Sequence, residues 1–184
     1  VLIGSHPAAS SYAWADDSDL CGRLLRPAPR TNQKIIDFRT CPDNLRAMLG
    51  ITNFLFVPAN RPDRIEKALS SEADLVCMDL EDSVPPSEKD AARAIALEAL
   101  ARLASPRLAL RINSLATSAG LTDLLALATA DTRPELLFLP MVQSAAEPQQ
   151  VASILGEDTP SLIPLIETVQ GLRNADAIGA CTGV

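Results

Sequence analysis

Five apolar runs in this sequence end in side chains that could do chemistry. "MDLEDSV" carries Asp79, Glu81 and Asp82. "LRIN" carries Arg111 and Asn113, and "PLIET" ends in Glu167. "PANRPDR" presents Asn60 and Arg61, while "LPMVQS" offers only Gln143 and Ser144. Carboxylate oxygens suit a hard divalent cation, Mg²⁺ or Mn²⁺, better than zinc. A guanidinium fork matches a substrate carboxylate with two parallel hydrogen bonds. Gathered in one place, these groups would form a site for a divalent cation and an anionic substrate.

Each residue also has a plainer role. Asn60 could cap a helix beginning at Pro62, and for Asn60 taken alone capping is the stronger reading. Glu167 could be the acid that a helix N-terminus favours. Arg111 could bridge to Asp79 or Glu81 for structure alone, and "DLED" could be a solvated turn. Convergence on one rim decides between these readings, because buried charges are costly unless paired or metal-bound.

The elements that would position them follow from periodicity. "FLFVPA", "ADLVCMDLE", "LALRIN", "ELLFLPM" and "SLIPLIE" read as strands with near-continuous apolar character, buried on both faces. Each precedes a helical pattern: "PDRIEKALSS", "SEKDAARAIALEALARL", "LTDLLALATA", "AEPQQVASILG" and "VQGLRNADAIGA". The second is the clearest, with Ser87 as N-cap and a stripe of Ala92, Ile95, Ala96, Ala99, Leu100 and Leu103. Alternating strand and helix imply a parallel α/β sheet, with chemistry at the carboxyl ends of the strands. A (β/α)₈ TIM barrel takes eight such units over roughly 250 residues. Five units therefore imply either an open sheet or a partial (β/α)₈ barrel. The reading adopted is a partial TIM barrel over residues 50–184. Residues 1–49 lack any period and read as an irregular or disordered extension, or as translated sequence upstream of a start at Met48.

Of the 184 residues, 47% are hydrophobic, and the formal net charge of −7 disfavours nucleic acid as a partner. No apolar run reaches the roughly 18 residues of a membrane span. Cys21, Cys41, Cys77 and Cys181 form no C-x-x-C pair, and His6 is the single histidine. They read as free thiols in a reducing cytoplasm rather than as zinc ligands or disulfides. The absence of a Gly-rich phosphate loop leaves Rossmann and P-loop readings without support.

From about Asn53 onward the sequence resembles the HpcH/HpaI aldolase and citrate lyase beta-subunit family. The resemblance rests on the ordered set V-P-x-N-R-P, D-L-E-D-[SA]-V, R-[IV]-N and P-L-I-E-T. It implies a (β/α)₈ barrel enzyme that makes or breaks a C–C bond in a CoA-thioester hydroxy acid such as citryl-CoA or malyl-CoA. It implies Mg²⁺ at the barrel mouth with Glu167 as a ligand, and CoA as part of the substrate. Arg111 is then the group that grips the substrate carboxylate or carbonyl. Asp79, Glu81 and Asp82 line the same mouth, Asn60 and Arg61 lie toward the CoA nucleotide, and Asn113 lies toward the substrate. A homo-oligomer, trimer or hexamer, is implied for the full-length protein.

Three departures qualify the resemblance. The family's second metal ligand, an Asp at the tip of the sixth strand, is expected beyond Val184, so the chain reads as a fragment inactive alone. "PMVQ" stands where P-K-V-E is frequent, and Ala59 where Gly is common. A 2-oxo-acid aldolase, a malyl-CoA thioesterase or a non-catalytic remnant are the alternatives on the same scaffold.

Overall fold

The five apolar runs become five parallel strands in one sheet. The computed structural model describes residues 51–181 and 183–184. The expectations for residues 1–49, and those for Cys21 and Cys41, lie outside them. The strands are β1 (Phe54–Pro58), β2 (Leu75–Asp79), β3 (Leu108–Arg111), β4 (Leu136–Leu139) and β5 (Ser161–Pro164). Their spatial order is β1-β2-β3-β4-β5, the order of the sequence, with every neighbouring pair parallel. A doubly wound sheet reverses its strand order at a switch point, whereas a barrel wall advances strand by strand. The sequential order is that of a barrel wall.

Alternation divides the strands into two faces. Val76, Met78, Leu108, Leu110, Leu137 and Leu162 pack with Ile65, Ala92, Ala96, Leu124, Leu127 and Val151 of the helices in one large core. Leu75, Cys77, Ala109, Leu136 and Phe138 point the other way and form a second, smaller cluster. The expectation of strands buried on both faces holds for β2 and β4, every residue of which is buried. It fails at β1, where Phe54 and Phe56 are each 43% exposed. β1 and β5 are the edges of the sheet among the described residues, so no further strand covers their flanks.

The helices are α1 (Pro62–Leu69), α2 (Lys89–Leu103), α3 (Ser118–Thr129), α4 (Ala146–Leu155), α5 (Val169–Arg173) and α6 (Ala175–Gly179). Ser87 is not the N-cap of α2. It lies in a 3₁₀ turn, Pro86–Glu88, and the cap position falls at Glu88 without a side-chain bond. The Pro85–Pro86 pair favours that tighter entry, and Lys89 Nζ ties it down through the carbonyls of Leu80 at 2.7 Å and Glu81 at 2.6 Å. The predicted stripe of α2 is otherwise in place, with Ala92, Ala96, Ala99 and Leu100 buried. α3 begins at Ser118, earlier than the periodicity placed it, because Thr117 caps it by accepting the Gly120 N–H at 3.1 Å. The last helical pattern divides at Asn174 into α5 and α6. Among the described residues no helix is long and apolar enough to cross a membrane.

Candidate functional site at the carboxyl ends of the strands

Register builds the site. Pro58 pairs with Asp79, Asp79 with Arg111, and Arg111 with Phe138, so the last residues of β2 and β3 stand side by side. Asp79 is 1% exposed. Its Oδ1 accepts from Arg111 Nε at 2.7 Å and its Oδ2 from Arg111 Nη2 at 2.8 Å. The N–H groups of Glu81 and Ser83 also donate to it, at 2.8 and 3.1 Å. Burial pushes the Asp79 carboxyl upward, but the Arg111 fork and the N–H donors outweigh it and hold the group below the usual range. The Arg111 guanidinium lies 5.1 Å from the centroid of the Phe56 ring. Hydrogen bonding to Asp79 raises its pKa further, against the opposing effect of burial.

The fork is therefore spent on Asp79. The Nη1 side of Arg111 faces the other acids: Glu81 Oε2 at 3.0 Å and Asp82 Oδ2 at 3.9 Å. Glu81 Oε2 is buried and, despite that short separation, makes no directed hydrogen bond. Desolvation raises the Glu81 pKa; Arg111 opposes this, while the charges of Asp82, Glu167 and Asp79 reinforce it. Glu167 thus lies close enough to be felt at Glu81. One guanidinium faces three carboxylates, Asp79, Glu81 and Asp82, and the charge of a fourth, Glu167, is felt at Glu81, so negative charge is in excess at this rim.

β5 is shorter than its apolar run. It ends at Pro164, and Glu167 sits in the connection to α5. Two bonds carry the ladder past the strand end: Leu165 N–H to the Leu139 carbonyl at 2.8 Å, and Val142 N–H to the Leu165 carbonyl at 3.2 Å. Glu167 Oε2 accepts the Met141 N–H at 2.9 Å. The N-cap of α5 is Thr168, whose hydroxyl accepts the Gly171 N–H at 2.9 Å, so Glu167 does not serve as the cap.

Not every predicted site residue joins this cluster. Asn60 does not cap α1: the cap position is Arg61, and Asn60 Nδ2 instead donates to Glu88 Oε2 at 2.5 Å. Asn60 Oδ1 is buried without a partner. Arg61 pairs with Asp63 at 3.2 Å on the open surface. Asn113 is buried and gives its side-chain amide to Asp123 Oδ2 at 2.7 Å, away from the acids.

Sequence reasoning passed over Asp123, Arg93 and Phe56. Asp123 and Arg93 are buried charges paired at 2.6 Å. The signal was a lone charge within an apolar helical stripe, Asp123 in "LTDLLALA" and Arg93 in "DAARAIA".

Mg²⁺ is compatible with what the rim offers. It binds through one or two carboxylates and retains waters for substrate to replace. Glu167 is the carboxylate that could hold it, with Oε2 already accepting the Met141 N–H. Among the described residues no group of three or more His, Cys, Asp or Glu side chains is arranged to hold a metal ion by itself.

Comparison with known proteins gives the same frame. The family model "HpcH/HpaI aldolase/citrate lyase" matches residues 53–184. The chain is 35% identical over 137 residues to the L-malyl-CoA/beta-methylmalyl-CoA lyase of Cereibacter sphaeroides, covering 68% of this chain and 43% of that protein. It is 36% identical over 129 residues to the (3S)-malyl-CoA thioesterase of the same species, covering 68% and 44%. The citrate lyase beta subunit of Mycobacterium tuberculosis, solved with oxaloacetate and magnesium, superposes with a TM-score of 0.63 at 34% identity. That match covers 75% of this chain and 57% of the other. The chain thus spans less than half the length of both curated relatives. With the ordered motifs, the sequential parallel strands and the acidic rim now in view, the chain belongs to the HpcH/HpaI aldolase/citrate lyase family.

Proposed function

We propose that this chain is the first five βα units of a Mg²⁺-dependent carbon–carbon lyase acting on a hydroxyacyl-CoA thioester, with malyl-CoA or citryl-CoA as the substrate class. The observation that carries this reading is the Arg111 guanidinium held among Asp79, Glu81 and Asp82 on the rim that Glu167 shares.

Bound to Glu167, the metal would supply Lewis acidity and a template for the substrate's hydroxyl and carboxylate oxygens. The chain's own residues do the rest. Asp79 and the Phe56 ring fix the guanidinium plane, which leaves the Nη1 side to meet the substrate carboxylate or carbonyl. That meeting requires Arg111 to exchange its contact with Glu81 for the substrate. In cleavage, the hydroxyl loses its proton as a carbonyl forms. The bond to the thioester α-carbon breaks, and the resulting enolate takes up a proton. Fixed positive charge beside the developing oxyanion lowers that barrier. Glu81 and Asp82 orient water and Arg111 at the mouth. Asn60 and Arg61, at the tip of β1, bind toward the CoA nucleotide.

The full-length protein would be a cytoplasmic homo-oligomer, trimer or hexamer. Cys77 and Cys181, both buried free thiols, are in keeping with a reducing compartment.

The test is incubation of the full-length protein with malyl-CoA and with citryl-CoA, with and without Mg²⁺. A lyase releases a shorter acyl-CoA and a 2-oxo acid. A thioesterase, the second reading that the thioesterase relative favours, releases free CoA thiol with the acid skeleton intact. Absence of both products at saturating Mg²⁺ would sink the catalytic reading.

A further inference from the structure

A buried charge pair stands directly behind the rim and has no part in the mechanism above. Asp123 on α3 is 1% exposed and Arg93 on α2 is 8% exposed. Arg93 Nε donates to Asp123 Oδ1 at 2.6 Å. Asp123 Oδ2 accepts two bonds from one residue, the Asn113 backbone N–H at 2.9 Å and Asn113 Nδ2 at 2.7 Å. The other end of the Arg93 fork holds Asp90 at 2.7 Å. Three elements, α2, α3 and the exit of β3, therefore meet on one carboxylate.

Fastening two helices to a sheet needs only apolar contact, and a buried ion pair is a poor way to gain stability. What a carboxylate with three donors adds is direction. The place where it acts is specific. The ladder fixes Arg111 from one side, through the Leu80 N–H to the Arg111 carbonyl at 2.9 Å, and it still holds Ile112 through the Phe138 carbonyl at 3.3 Å. Asn113 is the next residue, and both of its donors go to Asp123. The same turn is pressed from outside by α3: a Cβ on Gly120 would lie 2.2 Å from the Ser114 carbonyl oxygen and 2.6 Å from that of Asn113.

We infer that Asp123 is a positioning residue for Arg111: its carboxylate fixes the chain at Asn113, so that the guanidinium two residues earlier stays seated between Asp79 and Glu81. The functional consequence rests on the reading of Arg111 as the substrate-carboxylate clamp. The positioning itself does not.

The test uses Asp123→Asn in the full-length protein. The substituted amide must turn one N–H toward the donors of Arg93 or of Asn113. Solvent exchange of the Arg111 Nε–H is measured by ¹⁵N NMR. The control is Val151→Ala, a core truncation on α4, with conditions chosen so that the two variants have equal global stability. A merely structural Asp123 gives equal exchange in both, and that result overturns the inference. The expected result is exchange at least tenfold faster in Asp123→Asn, together with at least tenfold weaker oxaloacetate binding and unchanged affinity for Mg²⁺ alone. Should Asp123→Asn fail to fold, Arg93→Lys carries the same comparison, because it keeps the charge and weakens the hold on the carboxylate. Fast exchange in a protein whose wild type binds no oxaloacetate overturns the clamp reading of Arg111 and leaves the positioning intact.

Discussion

The backbone N–H of Met141 donates to Glu167 Oε2 at 2.9 Å, and Met141 makes that bond from the left-handed region, at φ 57°. A side-chain-bearing residue there costs about 1–2 kcal/mol. The carboxylate that would hold the metal is thus oriented by a strained turn at the tip of β4. Met141→Gly relieves the strain but adds freedom to the unfolded chain, so its net effect on stability lies within about 1 kcal/mol of zero. Met141→Val, β-branched and poorly suited to positive φ, costs about 1–2 kcal/mol. Thermal unfolding of the full-length protein with and without Mg²⁺ separates the two. The Mg²⁺-dependent rise in Tm persists in Met141→Gly and shrinks in Met141→Val. An equal rise in both would show that the turn does not orient Glu167.

Arg111→Lys keeps the charge and loses the fork. An ammonium cannot span both oxygens of Asp79 and reach Glu81 as well. Since the Arg111 side chain is 13% exposed and that of Asp79 2%, the loss is felt in the interior. We expect a destabilisation of about 1–3 kcal/mol and loss of carboxylate recognition. Urea unfolding reads the first and kcat/KM in the full-length protein reads the second. Unchanged kcat/KM would remove Arg111 from the site.

How far the sequence disclosed this arrangement depends on what each feature required. The five strands were visible because an apolar run bounded by polar residues is a local pattern, and parallel pairing in sequential order then brings the strand tips together. Asp79 and Arg111 became neighbours through register alone. The start of α2 was misread because the Ser87 signal competes with Pro85–Pro86 and with the tether from Lys89 to a distant loop. The division at Asn174 was hidden for a similar reason: its side chain leaves the helix to donate to the Gln143 carbonyl at 2.7 Å. Asn60 and Asn113 stand near the tips as expected, but their amides turn to Glu88 and Asp123, partners that no spacing along the chain could reveal. That the fork is spent on Asp79 is a matter of side-chain direction, which periodicity does not carry.

The rim carboxylates pull the pH profile in opposite directions. Asp79 is held below its ordinary value of 3.8, so its contribution to stability is complete above that value and is lost as pH falls through the lower folded value. Glu81 is raised above its ordinary value of 4.5, so the folded state binds the extra proton, and stability falls as pH rises from 4.5 through the folded value. Unfolding free energy measured from pH 3 to 7 should therefore rise out of acid and then decline on the Glu81 account. Glu81→Gln removes the decline and keeps the acid limb; Asp79→Asn does the reverse. A decline that survives in Glu81→Gln would assign it to another group.

One small device recurs at two strand exits. In "TSAG" Thr117 caps α3 by accepting the Gly120 N–H, and in "TVQG" Thr168 caps α5 by accepting the Gly171 N–H. In both, the glycine lets the first turn of the helix lie against a carbonyl of a loop at the rim. A Cβ on Gly171 would stand 2.3 Å from the Val142 carbonyl oxygen, as one on Gly120 would stand 2.2 Å from that of Ser114. Backbone cannot yield at such distances as a flexible side chain can, so each Gly→Ala should cost about 1–3 kcal/mol. The corresponding Thr→Ala changes should cost about 1 kcal/mol through the lost cap. The two sites differ in what they move. Val142 follows Met141, so Gly171→Ala disturbs the turn that holds Glu167 and lowers the Mg²⁺-dependent gain in Tm. Gly120→Ala presses on the turn after Arg111 and leaves that gain in place. Equal Mg²⁺ responses in the two alanine variants would show that the loop carrying Met141 is not what orients Glu167.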